Sequence, residues 1–201
     1  MSVAAFDLLG GAPVCCNGGV TGHCTLVVCG APLAGRATDM AAALVRAGWQ
    51  LRVILTPAAE QWVQGAALEA ATGAPAQTRL RAPGSPKPPR AEAIAVVPMT
   101  FNSAGKLAHG IADTLAHSAM AEALGAGVPF VAVPMVNPSL AGHPAWGQNT
   151  RRLSAAGVTW VSVVDGTAGH PEPVLTERGA ALVEAFDPEW VSGHLSPGSR
   201  G

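Results

Sequence analysis

The sequence predicts an α/β fold, a single layered domain built on a mostly parallel sheet. Apolar runs with the length and branching of buried parallel strands alternate with helical stretches, and the connections between them are short. This order is typical of right-handed β-α-β units. A chain of 201 residues, 49% hydrophobic and 12% charged, suits one well-packed domain and is short for two.

Five apolar runs have the pattern of buried strands, and a helical stretch follows each of them. The predicted strands are residues 24–30, 51–55, 91–97, 128–133 and 158–164. The predicted helices are residues 38–47, 58–71, 106–125, 148–156 and 175–186. Gly48 and Gly125–Gly127 are expected to end two of these helices.

Three segments fall outside the alternating pattern and delimit a domain over residues 23–186. Residues 1–22 show no helical or strand periodicity and are expected to form a flexible N-terminal arm. Residues 187–201, rich in Gly, Ser and Pro, are expected to form a flexible tail. Residues 82–89 carry too many prolines for a helix or a central strand, so we expect an extended surface loop. This loop is either a passive connector or a segment that flanks the site.

The composition of the chain argues against nucleic acid and membranes as partners and favours contact with further copies of the chain. A net charge of -1 with scattered Lys and Arg gives no electrostatic footprint for nucleic acid. No apolar run reaches the roughly 18 residues of a membrane-spanning helix, and the N-terminus lacks the basic region of a secretory signal, so we expect a cytoplasmic protein. A mean hydropathy of +0.30 predicts buried contacts in a homo-oligomer, although an Ala- and Gly-rich composition also raises this value.

The cysteines do not predict a metal site. All four lie within the first 30 residues, and no pair has Cys-x-x-Cys spacing. His23 beside Cys24 lacks a second pair of ligands at a useful distance. We therefore expect ordinary thiols in a reducing compartment and no bound metal.

Polar side chains follow two of the predicted strands where those strands end. Pro98 is expected to end the third strand, because proline cannot donate to a central ladder, and Asn102 follows in a polar loop over residues 98–113. Pro134 closes the fourth strand in the same way, and Asn137 follows it. Ligands of open parallel sheets bind at this edge. Each asparagine offers two donors and an acceptor for a carboxylate or a ring edge, with turn formation as the competing explanation.

Residues after the first two strands suit a phosphate group. Gly30-Ala31-Pro32 lies at a strand-to-helix turn, where backbone N–H groups and a helix N-terminus meet an anion. The turn lacks G-x-G-x-x-G spacing, so its glycine is equally explained by the backbone conformation of the turn. The Thr56 hydroxyl could contact the same phosphate or cap the next helix.

Three histidines near these loops are candidate general bases. A structural role is favoured for His109 and His117, whereas His143 suits either a structural or a catalytic role. Lys106 and Asp113 are seven residues apart and share one helical face. A solvated surface role is favoured for Lys106.

These residues resemble those of the homo-oligomeric flavin-containing cysteine decarboxylases. This family includes phosphopantothenoylcysteine decarboxylase and enzymes that oxidatively decarboxylate the C-terminal cysteine of precursor peptides. Their Pro-Ala-Ser-Ala-Asn-Thr loop matches residues 98–103, and the Lys, Gly, Asp and Leu that follow it fall on Lys106, Gly110, Asp113 and Leu115. Their Pro-x-Met-Asn-x-x-Met-Trp motif matches residues 134–141, with Pro134 and Asn137 intact and three hydrophobic positions changed. The similarity covers residues 24–164.

The resemblance implies a single Rossmann-like three-layer domain that binds FMN, or FAD, between subunits of a trimer or an assembly of trimers. The residues expected at the cofactor are Gly30, Ala31, Pro32, Thr56, Pro98, Met99, Thr100, Asn102 and Ser103. Those expected at the substrate are Met135 and Asn137. The candidate catalytic residues are Asn102 and His143.

The predicted function is an FMN-binding flavoprotein that oxidatively decarboxylates a cysteine, either a C-terminal peptidyl cysteine or a small cysteine conjugate. The family histidine that precedes the first motif would fall in residues 82–87, which contain none, so the base is replaced, the reaction differs or there is no turnover. Every cysteine precedes residue 30, so the late cysteine of phosphopantothenoylcysteine decarboxylase is missing. The alternatives are a flavin-binding regulatory or assembly protein and a flavin prenyltransferase-like enzyme, for whose phosphate donor only Arg151-Arg152 is available.

Overall fold

A five-stranded parallel sheet forms the centre of the computed structural model, which describes residues 22–195. Its strands are β1 (Gly22–Val28), β2 (Trp49–Leu55), β3 (Ala93–Met99), β4 (Phe130–Pro134) and β5 (Val158–Trp160). Their order across the sheet is β2-β1-β3-β4-β5, and every neighbouring pair is parallel. The predicted α/β class is therefore confirmed. The expected N-terminal arm lies outside the described residues, apart from Gly22 at the start of β1.

Helices cover both faces of the sheet and complete three layers. They are α1 (Ala37–Arg46), α2 (Gly65–Thr72), α3 (Phe101–Ala108), α4 (Leu115–Gly125), α5 (Pro138–Ala141), α6 (Pro144–Ala155), α7 (Gly179–Ala185) and α8 (Glu189–Gly193). Buried side chains of α1, α2, α7 and α8 pack on one face of the sheet. Those of α3, α4 and α6 pack on the other face.

The chain leaves the adjacent strands β1 and β3 toward opposite faces of the sheet. The connection after β1 leads to α1 on the first face, whereas β3 leads directly into α3 on the second. Where neighbouring strands diverge in this way, a crevice opens at their carboxyl ends. The fold therefore places an opening beside Gly30 and Thr100.

Short segments accompany the two outer strands of the sheet. At β2, the Gln77 N–H donates to the Val53 carbonyl at 2.9 Å, and the Gln77 carbonyl accepts from the Leu55 N–H at 2.8 Å. At the other edge, Val161 forms an antiparallel bridge with Ala168 just after β5.

The third strand runs two residues further than predicted and includes Pro98. Strand β3 ends at Met99, and the Pro98 carbonyl accepts a hydrogen bond from the Cys29 N–H at 3.3 Å. The pairing of β3 with β4 shifts register between Val96 and Met99. Proline is tolerated where a ladder is irregular, so this shift explains why Pro98 does not end the strand.

The polar loop predicted over residues 98–113 is wrong, because half of it is helical. Helix α3 begins directly after β3. The Thr100 backbone is extended, and its hydroxyl accepts a hydrogen bond from the Ser103 N–H at 3.3 Å. This is the geometry of an N-cap, which satisfies a backbone donor that the helix itself leaves free.

The single helix predicted over residues 106–125 is divided into the end of α3 and the whole of α4. Gly110 has a φ of 69°, in the left-handed region that side chains disfavour, and it ends the first helix. Thr114 then caps α4 by accepting from the His117 N–H at 3.3 Å. The break turns the first turn of α4 toward the carboxyl ends of the strands.

Several other predicted bounds are wrong by a few residues. Helix α2 begins at residue 65 rather than 58, because a 3-10 turn over Pro57–Ala59 precedes it. Helix α6 begins at Pro144 rather than 148, with proline at its first position. Strand β5 ends at Trp160 rather than 164, and the closing helix α7 starts at residue 179 after a 3-10 turn.

Residues 187–195 do not form the expected flexible tail, because α8 packs against the domain. Val191 and Leu195 are buried, and an Arg46 side-chain nitrogen lies 2.6 Å from a Glu189 carboxylate oxygen. The Trp190 indole lies directly over the backbone of Gly166. These contacts join segments that are distant in sequence. Residues 196–201 lie outside the described residues.

Candidate functional site

A cavity of about 770 Å³ opens at the carboxyl ends of β1, β2, β3 and β4. The connections that follow these four strands form its wall, together with the first turn of α4 and the segment before α7. Its size is within the range of small-molecule and cofactor pockets. Most of the wall is apolar, and its polar groups come from a few side chains at the strand ends.

Gly30 allows two of these connections to approach each other closely. A Cβ atom at this position would lie 2.6 Å from the carbonyl oxygen of Ala58. Real Cβ atoms do not come this close to a backbone oxygen, so no larger residue fits without a shift of the chain. A 3-10 turn over Pro32–Arg36 begins directly afterwards and has proline at its first position.

Thr56 carries a buried hydroxyl that lacks a partner. Its side chain lines the cavity, is 5% exposed, and its Oγ1 makes no hydrogen bond with any described residue. A buried hydroxyl without a partner costs about 1–3 kcal/mol. An oxygen atom of a ligand in the cavity would remove this cost.

The N-terminus of α3 presents polar groups to the cavity. Thr100, Asn102 and Ser103 all line it. The Thr100 hydroxyl lies 3.2 Å from the Ser103 hydroxyl, and Ser103 is buried. Asn102 is exposed in the first helical turn, and its amide is available to a bound molecule.

His117, at the start of α4, joins these hydroxyls to a charged pair. Its Nε2 lies 3.3 Å from the Ser103 Oγ, and its Nδ1 lies 2.7 Å from the Thr114 Oγ1. The Asp113 carboxylate lies 3.4 Å from the same Nδ1 and 2.6 Å from the Lys106 ammonium. His117 is 2% exposed and lines the cavity. The result is a continuous polar network along one wall.

The surroundings of His117 favour its neutral form. Burial lowers the pKa of its imidazole, the Lys106 charge lowers it further, and the Asp113 carboxylate opposes these effects. The hydrogen bond from Lys106 is the main cause of the lowered pKa of Asp113. Burial raises the pKa of the neighbouring Cys29 thiol to about 11, although a hydrogen bond with Ser103 opposes the rise. At neutral pH the network therefore holds a neutral imidazole and a protonated thiol.

Asn137 and Met135 lie at the cavity wall after β4. The Asn137 Oδ1 accepts a hydrogen bond from the Leu140 N–H at 2.9 Å and caps the short helix α5. Asn137 therefore caps a helix and also lines the cavity. The Met135 sulfur accepts from the Leu33 N–H at 3.3 Å, which fixes this side chain against the loop after β1.

Most of the sequence-predicted site residues line this cavity. They are Gly30, Ala31, Pro32, Thr56, Thr100, Asn102, Ser103, Met135 and Asn137. Pro98 and Met99 are buried within β3 and do not form part of the wall.

His143 is also outside the wall of the cavity. It is exposed and caps α6, where its Nδ1 accepts a hydrogen bond from the Ala145 N–H at 3.1 Å. Its ring contacts Phe101, which lines the cavity, with a centroid distance of 5.5 Å. His143 therefore contacts a residue of the cavity wall but does not line the cavity itself.

Sequence reasoning assigned His117 a structural role and did not place it at the site. A Thr-x-x-His pattern at a helix start was a usable signal, because a capping threonine brings the residue three positions later to the same helix end. The contact with Ser103 spans 14 residues and depends on how α3 and α4 pack.

A family model for flavoproteins matches residues 20–186. The chain belongs to the Flavoprotein family. The model covers the whole described sheet and helices α1–α7, so the site lies entirely within the family domain.

Several solved structures resemble this one. TvaF, an FMN-dependent cysteine decarboxylase of thioviridamide biosynthesis, is 28% identical, with a TM-score of 0.60 over 69% of this chain and 88% of its own. The cypemycin decarboxylase CypD is 18% identical, with a TM-score of 0.63 over 87% and 91%. AnUbiX (PadA1), solved with FMN and dimethylallyl pyrophosphate, is 17% identical, with a TM-score of 0.57 over 69% and 76%. For CypD and AnUbiX the likeness is one of fold alone.

These comparisons confirm the predicted family and agree with FMN as its cofactor, since TvaF depends on FMN and AnUbiX was solved with it. A search of curated proteins gave no match. Within residues 22–195, every helix is too short or too polar to cross a membrane. The same part of the chain contains no cluster of three His, Cys, Asp or Glu side chains able to hold a metal ion.

The wall of the cavity fits the phosphate end of a flavin mononucleotide. Thr56 supplies a buried hydroxyl without a partner among the described residues, and Gly30, Ala31 and Pro32 line the same cavity. Phosphate groups bind at glycine-containing turns of this kind, where backbone N–H groups point at the anion. The apolar remainder of the wall suits a planar ring.

Proposed function

We propose that this flavoprotein binds FMN in the cavity and oxidatively decarboxylates a C-terminal cysteine of a peptide. The observation that carries the proposal is that the unpaired Thr56 hydroxyl, the Asn102 amide and the neutral His117 meet in one cavity. The similarity to the cysteine decarboxylase TvaF supports the choice of reaction.

Residues of the first two strand ends would hold the cofactor. Thr56 and the turn at Gly30-Ala31-Pro32 would contact the phosphate, and Thr100 and Ser103 would lie near the ring. FMN, when bound, supplies an acceptor for two electrons. The chain itself supplies binding, orientation and proton transfer.

Neutral amides suit a substrate carboxylate that must leave as carbon dioxide. Asn102 and Asn137 would donate to this carboxylate, and neither carries a charge that would hold it too firmly. The only lysine or arginine in the described wall is Lys106, and it is paired with Asp113. Trp62 and Phe101 add apolar surface that would exclude water from the cysteine side chain.

The reaction needs a base, and His117 is our candidate. In balance, a cysteine with an ionised carboxylate loses carbon dioxide, two electrons and one proton and becomes an enethiol, and FMN would accept the two electrons. A neutral imidazole can take this proton, and the His117 side chain lines the cavity with its Nε2 beside Ser103. His143 is the second candidate, and it would have to pass Phe101 to reach the substrate.

The alternative activities lack a supporting observation. A prenyltransferase needs cations for its phosphate donor, but Arg151 and Arg152 are exposed on α6 and do not line the cavity. A flavin-binding protein without turnover would load FMN and leave every cysteine peptide unchanged. The trimeric or larger assembly belongs to the proposal, and the mass of the flavin-loaded particle in solution tests it.

The reaction predicts a defined change of mass. Incubating the flavin-loaded protein with peptides that end in cysteine is expected to give products lighter by about 46 mass units, which is carbon dioxide plus two hydrogens. Matched peptides that end in serine are the control and should remain unchanged. If a panel of cysteine peptides gives no such product although FMN is bound, the decarboxylation is wrong and the flavin assignment stands.

Replacing Thr56 with valine tests the phosphate contact. Valine keeps the shape of threonine and removes its hydroxyl, so we expect FMN to bind about tenfold more weakly. The free energy of unfolding of the cofactor-free variant should stay level or rise, because an unpaired buried group is lost. Flavin fluorescence titration and urea denaturation measure the two effects. Thr56→Ser retains the hydroxyl and should bind like the wild type; unchanged affinity in the valine variant would remove Thr56 from the site.

A further inference from the structure

A second cavity, of about 1180 Å³, lies beside α4 and takes no part in the proposed reaction. Thr25 of β1 and Arg52 of β2 contribute to it from the sheet face that also carries α3, α4 and α6. The rest of the wall is formed by α4 and by residues 77–91, which include the proline-rich segment. We call it the cationic cavity, after the basic residues that line it, namely Arg52, Arg79, Arg81, Lys87 and Arg90.

The charge of this wall is strongly one-sided. It holds five of the 12 Lys and Arg residues of a chain whose net charge is -1. Glu122 is the single acidic residue among the lining residues. None of the five cations forms an ion pair with a carboxylate of the described residues. Such a concentration of unneutralised charge attracts anionic ligands.

Arg52 is the fixed member of this set. Its guanidinium donates two hydrogen bonds to the Gln77 side-chain oxygen, at 3.1 and 2.8 Å. This acceptor is neutral, so it orients the guanidinium without cancelling its charge. Burial lowers the pKa of Arg52, and the Glu122 carboxylate opposes that shift. A ligand carboxylate would stabilise this partly desolvated cation in the same way.

Helix α4 separates the cationic cavity from the candidate active site. Thr114 and His117 line the active-site cavity, whereas the alternate residues Leu115 and Ser118 line the cationic cavity. A chain that ends in the first cavity therefore has to pass only the start of this helix to reach the second. The wall also includes Leu80, which is 68% exposed and offers apolar contact beside the cations.

We propose that the cationic cavity binds an acidic segment of the peptide substrate, upstream of the cysteine that enters the active site. This inference rests on the proposed function, because it takes a peptide as the substrate. Carboxylate side chains complement five cations that have no ion-pair partner within residues 22–195, and the prolines of residues 82–89 restrict the wall before binding. An acidic peptide would be selected over a neutral one.

The test compares two cysteine-terminated peptides that differ only in an upstream segment, with Asp and Glu in one and Asn and Gln in the other. We expect the acidic peptide to have a KM at least about tenfold lower, with the same kcat, and to lose this advantage in 1 M salt at a Debye length of about 3 Å. The triple variant Arg79→Gln, Arg81→Gln, Arg90→Gln should raise the KM of the acidic peptide alone. The matched control is Arg151→Gln, Arg152→Gln, which removes exposed arginines of α6 and should change neither KM.

Fluorescence anisotropy of the same labelled peptides on the FMN-loaded protein measures binding without turnover. Selective binding of the acidic peptide without any turnover would support the cationic cavity and contradict the proposed reaction. Turnover with equal KM values for both peptides would overturn the cationic cavity and leave the reaction in place. Tighter binding of a single-stranded oligonucleotide, or a change of oligomeric state in the triple variant, would assign this surface to nucleic acid or to a second subunit and overturn the proposal.

Discussion

Replacing His117 with asparagine is expected to lower kcat for cysteine decarboxylation by about 100-fold or more. The imidazole is buried, is held between Ser103 and Thr114, and lines the cavity in a neutral state. Asparagine preserves a polar side chain of smaller size but cannot accept and carry a proton. FMN affinity should change little, because the phosphate contacts lie at other strand ends. Turnover is measured by the appearance of the lighter peptide.

The pH dependence of kcat distinguishes proton transfer from a structural role of His117. Because the pKa of His117 is lowered below the ordinary histidine value of 6.5, wild-type kcat should fall only when the pH decreases through that lowered pKa. The His117→Asn variant should lose this acidic limb. His109→Asn, at an exposed position outside the cavity, is the control and should keep wild-type activity. Full activity of His117→Asn together with loss of activity in His143→Asn would move the base to His143.

Replacing Gly30 with alanine is expected to abolish stable flavin loading and to lower the free energy of unfolding by about 1–3 kcal/mol. The new methyl group would lie 2.6 Å from the Ala58 carbonyl oxygen, so one of the two connections has to move. Either movement displaces the turn expected to receive the phosphate, or the loop that carries Thr56. Flavin absorbance of the purified protein and urea denaturation of the cofactor-free form measure the two effects.

Gly35→Ala is the matched control for this substitution. It lies five residues later in the same connection, and a Cβ at this position meets no atom within 4 Å. We expect this variant to bind FMN normally and to be at least as stable as the wild type, because alanine reduces the entropy of the unfolded chain. Equal flavin loading in the two alanine variants would show that the close approach at Gly30 does not shape the site.

The ends of β1, β2, β3 and β4 could be predicted to within two residues, because apolar periodicity and polar residues at strand ends are local signals. Thr56 and Asn102 were expected at this edge of the sheet from the strand pattern, and in the structure both line the same cavity. A local signal gives the wrong strand end where the surrounding sheet departs from regular pairing. Pro98 breaks a regular ladder, but the register shift between β3 and β4 accommodates it within the strand.

The remaining differences come from contacts between distant segments, which a pattern cannot report. The pairing of His117 with Ser103 depends on the angle at which α3 and α4 meet after Gly110. Similarly, the composition of the C-terminal region predicted a flexible tail. In the structure, Glu189 forms an ion pair with Arg46 of α1, and Trp190 packs over Gly166. Packing of this kind overrides local propensity.

The segments beside β2 and β5 determine which surfaces of the sheet remain open to other chains. A bare edge strand offers a row of free N–H and C=O groups that recruits further strands and leads to aggregation. Here the Gln77 backbone already forms hydrogen bonds with the Val53 carbonyl and the Leu55 N–H at the edge of β2. At the other edge, an antiparallel bridge between Val161 and Ala168 follows the short β5. Copies of this chain that assemble would therefore meet through helices and loops, and continuous intermolecular β-sheet is disfavoured by the fold itself.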